Sequence, residues 1–304
     1  MRTPNAQHVS YAELPPEAPF LVAEVGCNHC GDFETAVEMV RVAAEFCKVP
    51  AVKFQKRNPR EVLSPEEYAR PHPDPHHSYG DTYGAHREFL EFTLDQHRRL
   101  QDECRRWGAA YSCSVWDMTS AREIAELAPA FIKVPSACNT HFELAALLCD
   151  SFGGDIHVSL GMTTRAETEE IVAFYQERGR AKDMVLYHCT SGYPVDFEDV
   201  NLLEIPHLMN TFGGTVKAVG FSGHHRGIAV DVAAYALGAR FFERHYTLDR
   251  TLKGTDHAAS LEPDGVRRLW RDLQVARTAM RRKPQDILPV EAPQRAKLKW
   301  DRPQ

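Results

Sequence analysis

Eight short apolar runs, each followed by a stretch with helical apolar spacing, restrict this chain to very few architectures. The runs fall at 20–26, 51–55, 109–115, 131–136, 156–160, 184–189, 218–221 and 241–242. Helical spacing follows at 33–47, 87–107, 119–127, 142–149, 166–178, 202–212, 228–237 and 265–280. Strand and helix in alternation build a parallel sheet, because each helix carries the chain back to the same edge of its sheet. Eight such units predict an α/β fold, a single-domain (β/α)8 TIM barrel. The 304 residues suit one such domain, which commonly takes roughly 250. We expect an N-terminal extension over 1–17, the barrel over 18–282 and a C-terminal tail over 283–304.

The formal net charge of −6 argues against a nucleic-acid surface. The chain has no apolar run of membrane-spanning length, and its start is polar and Pro-rich, so we expect a soluble, cytoplasmic protein without a membrane anchor. Eight cysteines are scattered, several inside apolar runs, which is no disulfide framework. Cys27 and Cys30 form one C-x-x-C, which leaves a structural zinc or a redox dithiol open.

In a barrel of this kind the chemistry sits at the carboxyl ends of the strands. Polar residues accumulate there: Glu24, Asn28 and His29 after the first strand, Lys53 and Gln55 on the second, Ser114 and Asp117 on the third. Lys133 and Ser136 follow on the fourth, His188, Thr190 and Ser191 on the sixth, Ser222 and His224 on the seventh, Glu243 and His245 on the eighth. A lysine within an apolar strand, as in AVKFQ and FIKVPS, points into the barrel and needs a counter-charge there. Lys53 and Lys133 therefore either hold a phosphate or carboxylate ligand, or pair internally with Glu24 or Glu243. Neighbouring parallel strands bring His224 and His245 to one space, where two imidazoles can begin a divalent-metal site; the alternative is a strand cap and a satisfied carbonyl. The connection 56–86 is too long for an idle turn and is expected to cover something.

The ordered segments AEVGCNHCGD, AVKFQ, FIKVPSACN, LYHCTSGYP, VGFSGHH, ERHYTLDR and KGTDHAASLEP resemble the sialic acid synthase family over roughly residues 18–280. The resemblance implies condensation of phosphoenolpyruvate with an N-acylhexosamine to a nonulosonic acid, with release of phosphate. Position by position, it implies that His224 and His245 hold a divalent ion, Mn²⁺ first and Mg²⁺ or Co²⁺ as alternatives. Lys53, Ser114, Lys133, Ser136, Ser191 and Ser222 match phosphoenolpyruvate-binding positions. Glu24, Gln55, Tyr193 and Asp256 match positions that contact the sugar, its carbonyl or metal-bound water, with Glu24 and Asp256 as proton carriers. A carboxylate beside a metal and two lysines is expected to stay ionised at neutral pH. The resemblance also implies a homodimer.

Three features depart from the family pattern. Cys138 stands where a Glu is usual, and Gly223-His224-His225 where Asp-His-Thr is usual. The family's C-terminal antifreeze-like domain finds no room before Gln304, so a separate protein carrying it is a conceivable partner. Acceptor choice would then fall to the long connection, with His72, His76, His77, Tyr79, Asp81, Tyr83, His86 and Arg87; a surface loop or dimer contact is the other reading of it. Two alternatives to the N-acylhexosamine reading remain: an unacetylated hexose or sugar phosphate acceptor, as in octulosonate-phosphate synthases, and a catalytically silent sugar-binding or scaffold barrel.

Overall fold

In a computed structural model, which describes residues 11, 14, 15 and 17–300, eight parallel strands close into a barrel in chain order. The strands are β1 (Phe20–Gly26), β2 (Ala51–Lys56), β3 (Ala110–Val115), β4 (Phe131–Val134), β5 (Asp155–Ser159), β6 (Met184–Cys189), β7 (Ala218–Gly223) and β8 (Phe241–His245). The helices are α1 (Phe33–Arg41), α2 (Pro59–Val62), α3 (Pro65–Ala69), α4 (Tyr83–Phe89), α5 (Leu94–Trp107), α6 (Met118–Glu126), α7 (Phe142–Ser151), α8 (Arg165–Glu177), α9 (Glu204–Phe212), α10 (Ala229–Ala236), α11 (Pro263–Ala279) and α12 (Ala292–Leu298). The expected fold class is the one observed. No helix among the described residues is long and apolar enough to cross a membrane.

Strand alternation divides the core in two. Leu21, Ala23 and Val25 of β1, with Val52 and Phe54 of β2, join the layer between sheet and helices. Their neighbours Phe20, Val22 and Ala51 face the other way, into a cluster with Phe131, Val185, Tyr187 and Phe241. Because side chains alternate across a strand, the next inward positions up these strands are Glu24, Lys53, Lys133, Cys189 and Glu243. The barrel is thus apolar at its base and charged at its mouth. Tyr11 and Leu14 of the N-terminal extension pack against the apolar cluster from below; residues 1–10, 12, 13 and 16 of that extension lie outside the described residues.

Two differences from expectation have a clear local cause. The helix expected over 87–107 is two, α4 and α5, because Thr93 starts a new one: its hydroxyl accepts from the Gln96 amide and the Gln96 side chain accepts from the Thr93 amide. Strand four ends at Val134, and Ser136–Cys138 turns as a 3-10 helix after Pro135. In the connection 56–86, α2, α3 and a 3-10 turn at Pro75–His77 are each capped by a preceding Asn58, Ser64 or Asp74.

Candidate active site

The register of the strands decides which charges meet. Glu24 is paired across the sheet with Lys53 on one side and His245 on the other, and Ser114 with Lys133. Ser222 lies between Cys189 and Glu243. Eleven of the twelve residues expected at the site, all but Asp256, line one chamber of about 300 Å³ at the barrel mouth.

Both lysines are buried and paired. Lys53 Nζ is 2.6 Å from Glu24 Oε2 and 3.6 Å from Glu243 Oε1, and donates to Ser114 Oγ at 2.6 Å. Lys133 Nζ is 2.9 Å from Glu243 Oε2 and sits 3.8 Å above the Tyr187 ring. The internal-pair alternative is thus the arrangement observed, with both cations on carboxylates. Burial opposes charge on Glu243, but the two lysines outweigh it and hold the carboxyl down at about 2. Lys53 is raised against the same burial by Glu24 and Glu243, whereas burial lowers Lys133.

Glu24, paired with Lys53, is under opposing influences. Burial raises it, and the Glu243 charge adds to the effect, more than Lys53 offsets. Gln55 Nε2 donates to its other oxygen at 2.8 Å. Asp256 sits in the loop beyond β8, where His245, the Thr255 hydroxyl and Arg57 lower it in spite of burial. Their surroundings thus push the two carboxyl groups in opposite directions.

Ser136 and Ser191 meet over Gly161, whose amide donates to Ser136 Oγ at 2.9 Å. A Cβ at Gly161 would stand 2.2 Å from Ser191 Oγ and 2.7 Å from Ser136 Oγ, so only glycine leaves both hydroxyls in place.

His224 and His245 do face each other, with ring centroids 5.4 Å apart, and the half-exposed Tyr193 ring lies 4.3 Å from His224. His224 donates Nδ1–H to the Thr190 carbonyl at 2.9 Å, which leaves the Nε2 lone pair free. Burial, and then His245, lower it to about 3, so the ring is neutral. His245 Nδ1 is buried without a hydrogen-bond partner, 3.8 Å from Asp256 Oδ2. No group of three or more metal-type donors exists among the described residues. Two facing imidazoles, His224 with a free Nε2 lone pair and His245 with an unpartnered Nδ1, nevertheless suit a divalent ion whose remaining positions belong to water and substrate.

Above this chamber lies a second, of about 460 Å³, which shares Gln55, Trp116, Tyr193 and His245 with it. Its walls add Cys27, Arg57, His77, Tyr79, His86, Arg87 and Asp256. The long connection is pinned there: His77 Nδ1 accepts from the Gly254 amide at 3.1 Å, and the Tyr79 hydroxyl donates to the Lys253 carbonyl at 2.5 Å. His72, His76, Asp81 and Tyr83 do not line it. Arg57, which the sequence did not single out, is buried, bonded to Glu91 at 2.8 Å and to Cys27 Sγ at 2.8 Å, and stacked 5.0 Å from Trp116. Its place directly after a strand carrying Lys53 and Gln55 was the available signal. Glu243 shared the signal of the lysines, a charge at an inward position of an apolar strand. A larger cavity, about 750 Å³, flanks the inner chamber between α8 and α9, but its Arg165 is already paired with Glu204 at 3.2 Å.

Two of the departing residues are held by local contacts. His225 is fully buried behind the sheet, its Nε2 3.2 Å from Asp231 and its ring against Phe221. Cys138 donates Sγ–H to the Trp116 carbonyl at 3.4 Å. All eight cysteines are free thiols.

A parallel barrel that gathers paired lysines, hydroxyls and two histidines at its carboxyl end defines a class of enzyme site able to bind an anion beside an electrophile. Residues 39–285 match the NeuB family, and the chain belongs to that family. It is 36% identical to N-acetylneuraminate-9-phosphate synthase of Homo sapiens over 272 residues, 90% of this chain and 74% of that protein. Identity to N,N'-diacetyllegionaminic acid synthase of Campylobacter jejuni is 30%, over 86% of this chain and 77% of the relative. The crystal structure of a sialic acid synthetase from Leptospira borgpetersenii superposes with a TM-score of 0.78 at 26% identity, covering 94% of both chains.

Proposed function

We propose that this protein condenses phosphoenolpyruvate with the aldehyde of an N-acylhexosamine, giving a nonulosonic acid and phosphate. The convergence of Lys53 and Lys133 on Glu243, inside a hydroxyl-lined chamber, carries this reading. Phosphoenolpyruvate brings a phosphate and a carboxylate, and both lysines can turn to it while Glu243 remains within reach. Ser114 and Ser222 would bind from the strands, Ser136 and Ser191 from the loops around Gly161.

In the reaction C3 of phosphoenolpyruvate bonds to the sugar carbonyl carbon, water adds at C2, and the C2–O bond to phosphate breaks. His224 and His245 would hold the divalent ion, Mn²⁺ first, which when bound polarises the aldehyde oxygen. Glu24, raised by burial and oriented by Gln55, holds and delivers a proton near the new hydroxyl. Asp256, kept ionised, orients the sugar from the outer chamber together with Tyr193. Eight free thiols accord with a reducing, cytoplasmic compartment, and the family resemblance favours a homodimer.

One observation favours a phosphorylated acceptor as the second reading. Arg87 lines the outer chamber, donates only to the Tyr83 hydroxyl, and has no carboxylate partner among the described residues. A phosphate at the far end of the sugar would supply one. The test is phosphate release from phosphoenolpyruvate with Mn²⁺ against N-acetylmannosamine, mannose and their 6-phosphates, with His245→Ala as control. Release that needs a sugar and disappears in the control is expected; no release with any sugar would overturn the reading in favour of a silent barrel.

A further inference from the structure

A line of polar groups runs through the apolar base of the barrel to Lys133. Asp155, at the start of β5, accepts from the Tyr11 hydroxyl at 2.5 Å and pairs with Lys217. The Tyr11 oxygen lies 2.9 Å from His157 Nε2, and His157 Nδ1 lies 3.0 Å from the Tyr187 hydroxyl. Tyr187 presents its ring face to Lys133 Nζ at 3.8 Å. His157 and Tyr187 are fully buried, and His157 is stacked 4.1 Å from Phe131.

The chemistry of the partners sets the direction of every proton. Tyr11 spends its one hydroxyl proton on Asp155, so its oxygen must receive the next bond. That bond comes from His157 Nε2–H. Burial, and then Lys133, keep His157 neutral, so its Nδ1 carries a lone pair and accepts from Tyr187. All hydroxyls therefore point toward Asp155, and each donation enriches the oxygen behind it. A donating Tyr187 presents a more electron-rich face to the lysine ammonium.

We propose that Tyr187 is a positioning residue for Lys133, oriented by a one-way hydrogen-bond chain through His157 to Tyr11 of the N-terminal extension. The segment that seals the base and the lysine that meets the anion then form one unit. This rests on the reading of Lys133 as a phosphoenolpyruvate ligand. None of Tyr11, His157 or Tyr187 touches the acceptor side, so their effect falls on phosphoenolpyruvate alone.

The experiment measures phosphoenolpyruvate binding by calorimetry in the Mn²⁺-loaded full-length protein, and KM for both substrates, in Tyr11→Phe, Tyr187→Phe and the double variant. Lys133→Met serves as reference, and thermal unfolding is followed throughout. Each single variant is expected to weaken phosphoenolpyruvate binding about threefold to tenfold, with KM for the acceptor unchanged. The double variant should be little worse than either single one, because both cut the same chain. Lowered melting temperature with unaltered phosphoenolpyruvate affinity would assign the chain a purely structural role and overturn the proposal. A Lys133→Met protein that binds phosphoenolpyruvate as well as the parent would overturn the underlying ligand reading instead. Should Tyr187→Phe fail to fold, Tyr11→Phe at the opposite end of the chain decides alone.

Discussion

Arg244 and Asp231 form a fully buried ion pair, 2.5 Å between Nη1 and Oδ2, in the layer directly behind the two site histidines. Arg244 precedes His245, and its second nitrogen donates to the carbonyl of His225, next to His224, at 2.6 Å. One guanidinium thus ties the ends of β7 and β8 together.

Replacing Asp231 by Ala strands that guanidinium in the core, and should cost about 3–5 kcal/mol of stability. Urea unfolding gives the loss, and Mn²⁺ titration of the remaining folded protein should show weaker binding, although Asp231 touches no ligand. Unchanged Mn²⁺ affinity would confine Asp231 to stability.

Lys133→Met leaves Glu243 with Lys53 as its remaining cation and, on the proposed chemistry, removes one ligand of phosphoenolpyruvate. Phosphate release is expected to fall about 100-fold or more, while removal of bound metal with EDTA should abolish it and added Mn²⁺ restore it. Steady-state assays on the chelated and reloaded protein check both.

Gly161→Ala separates geometry from charge. The new methyl must push aside the hydroxyls of Ser136 and Ser191, which can rotate, so the fold should survive with its melting temperature nearly intact. KM for phosphoenolpyruvate should rise about tenfold or more if, as proposed, both hydroxyls bond to the anion. A large loss of stability with normal KM would contradict this placement.

Arg87→Ala discriminates between acceptors. With a sugar phosphate KM should rise about 10- to 100-fold, as expected for a lost charge-assisted bond, and with the unphosphorylated sugar it should not change. Equal effects on both would dissociate Arg87 from any distal phosphate.

The inward positions were legible because burial of a charge in an apolar strand is costly and periodicity tells which face it takes. Lys53, Lys133 and Glu243 obey that rule. The split between α4 and α5 was not legible, since its cause is a local cap at Thr93 inside a continuous helical pattern. Nor was the role of Arg57, because a charged residue just past a strand reads as solvent-facing until Glu91, Cys27 and Trp116 are seen to enclose it. The fate of the two lysines, ligand or carboxylate, depended on distances across four strands that no local pattern encodes.

Tyr11, Phe20, Phe131 and Phe241 pack together at the base, and the inner and outer chambers have Gln55, Trp116, Tyr193 and His245 in common. On the proposed chemistry, an acceptor lodged across those shared walls would hinder a phosphoenolpyruvate that arrives after it. Excess acceptor should therefore inhibit initial velocity, competitively with phosphoenolpyruvate.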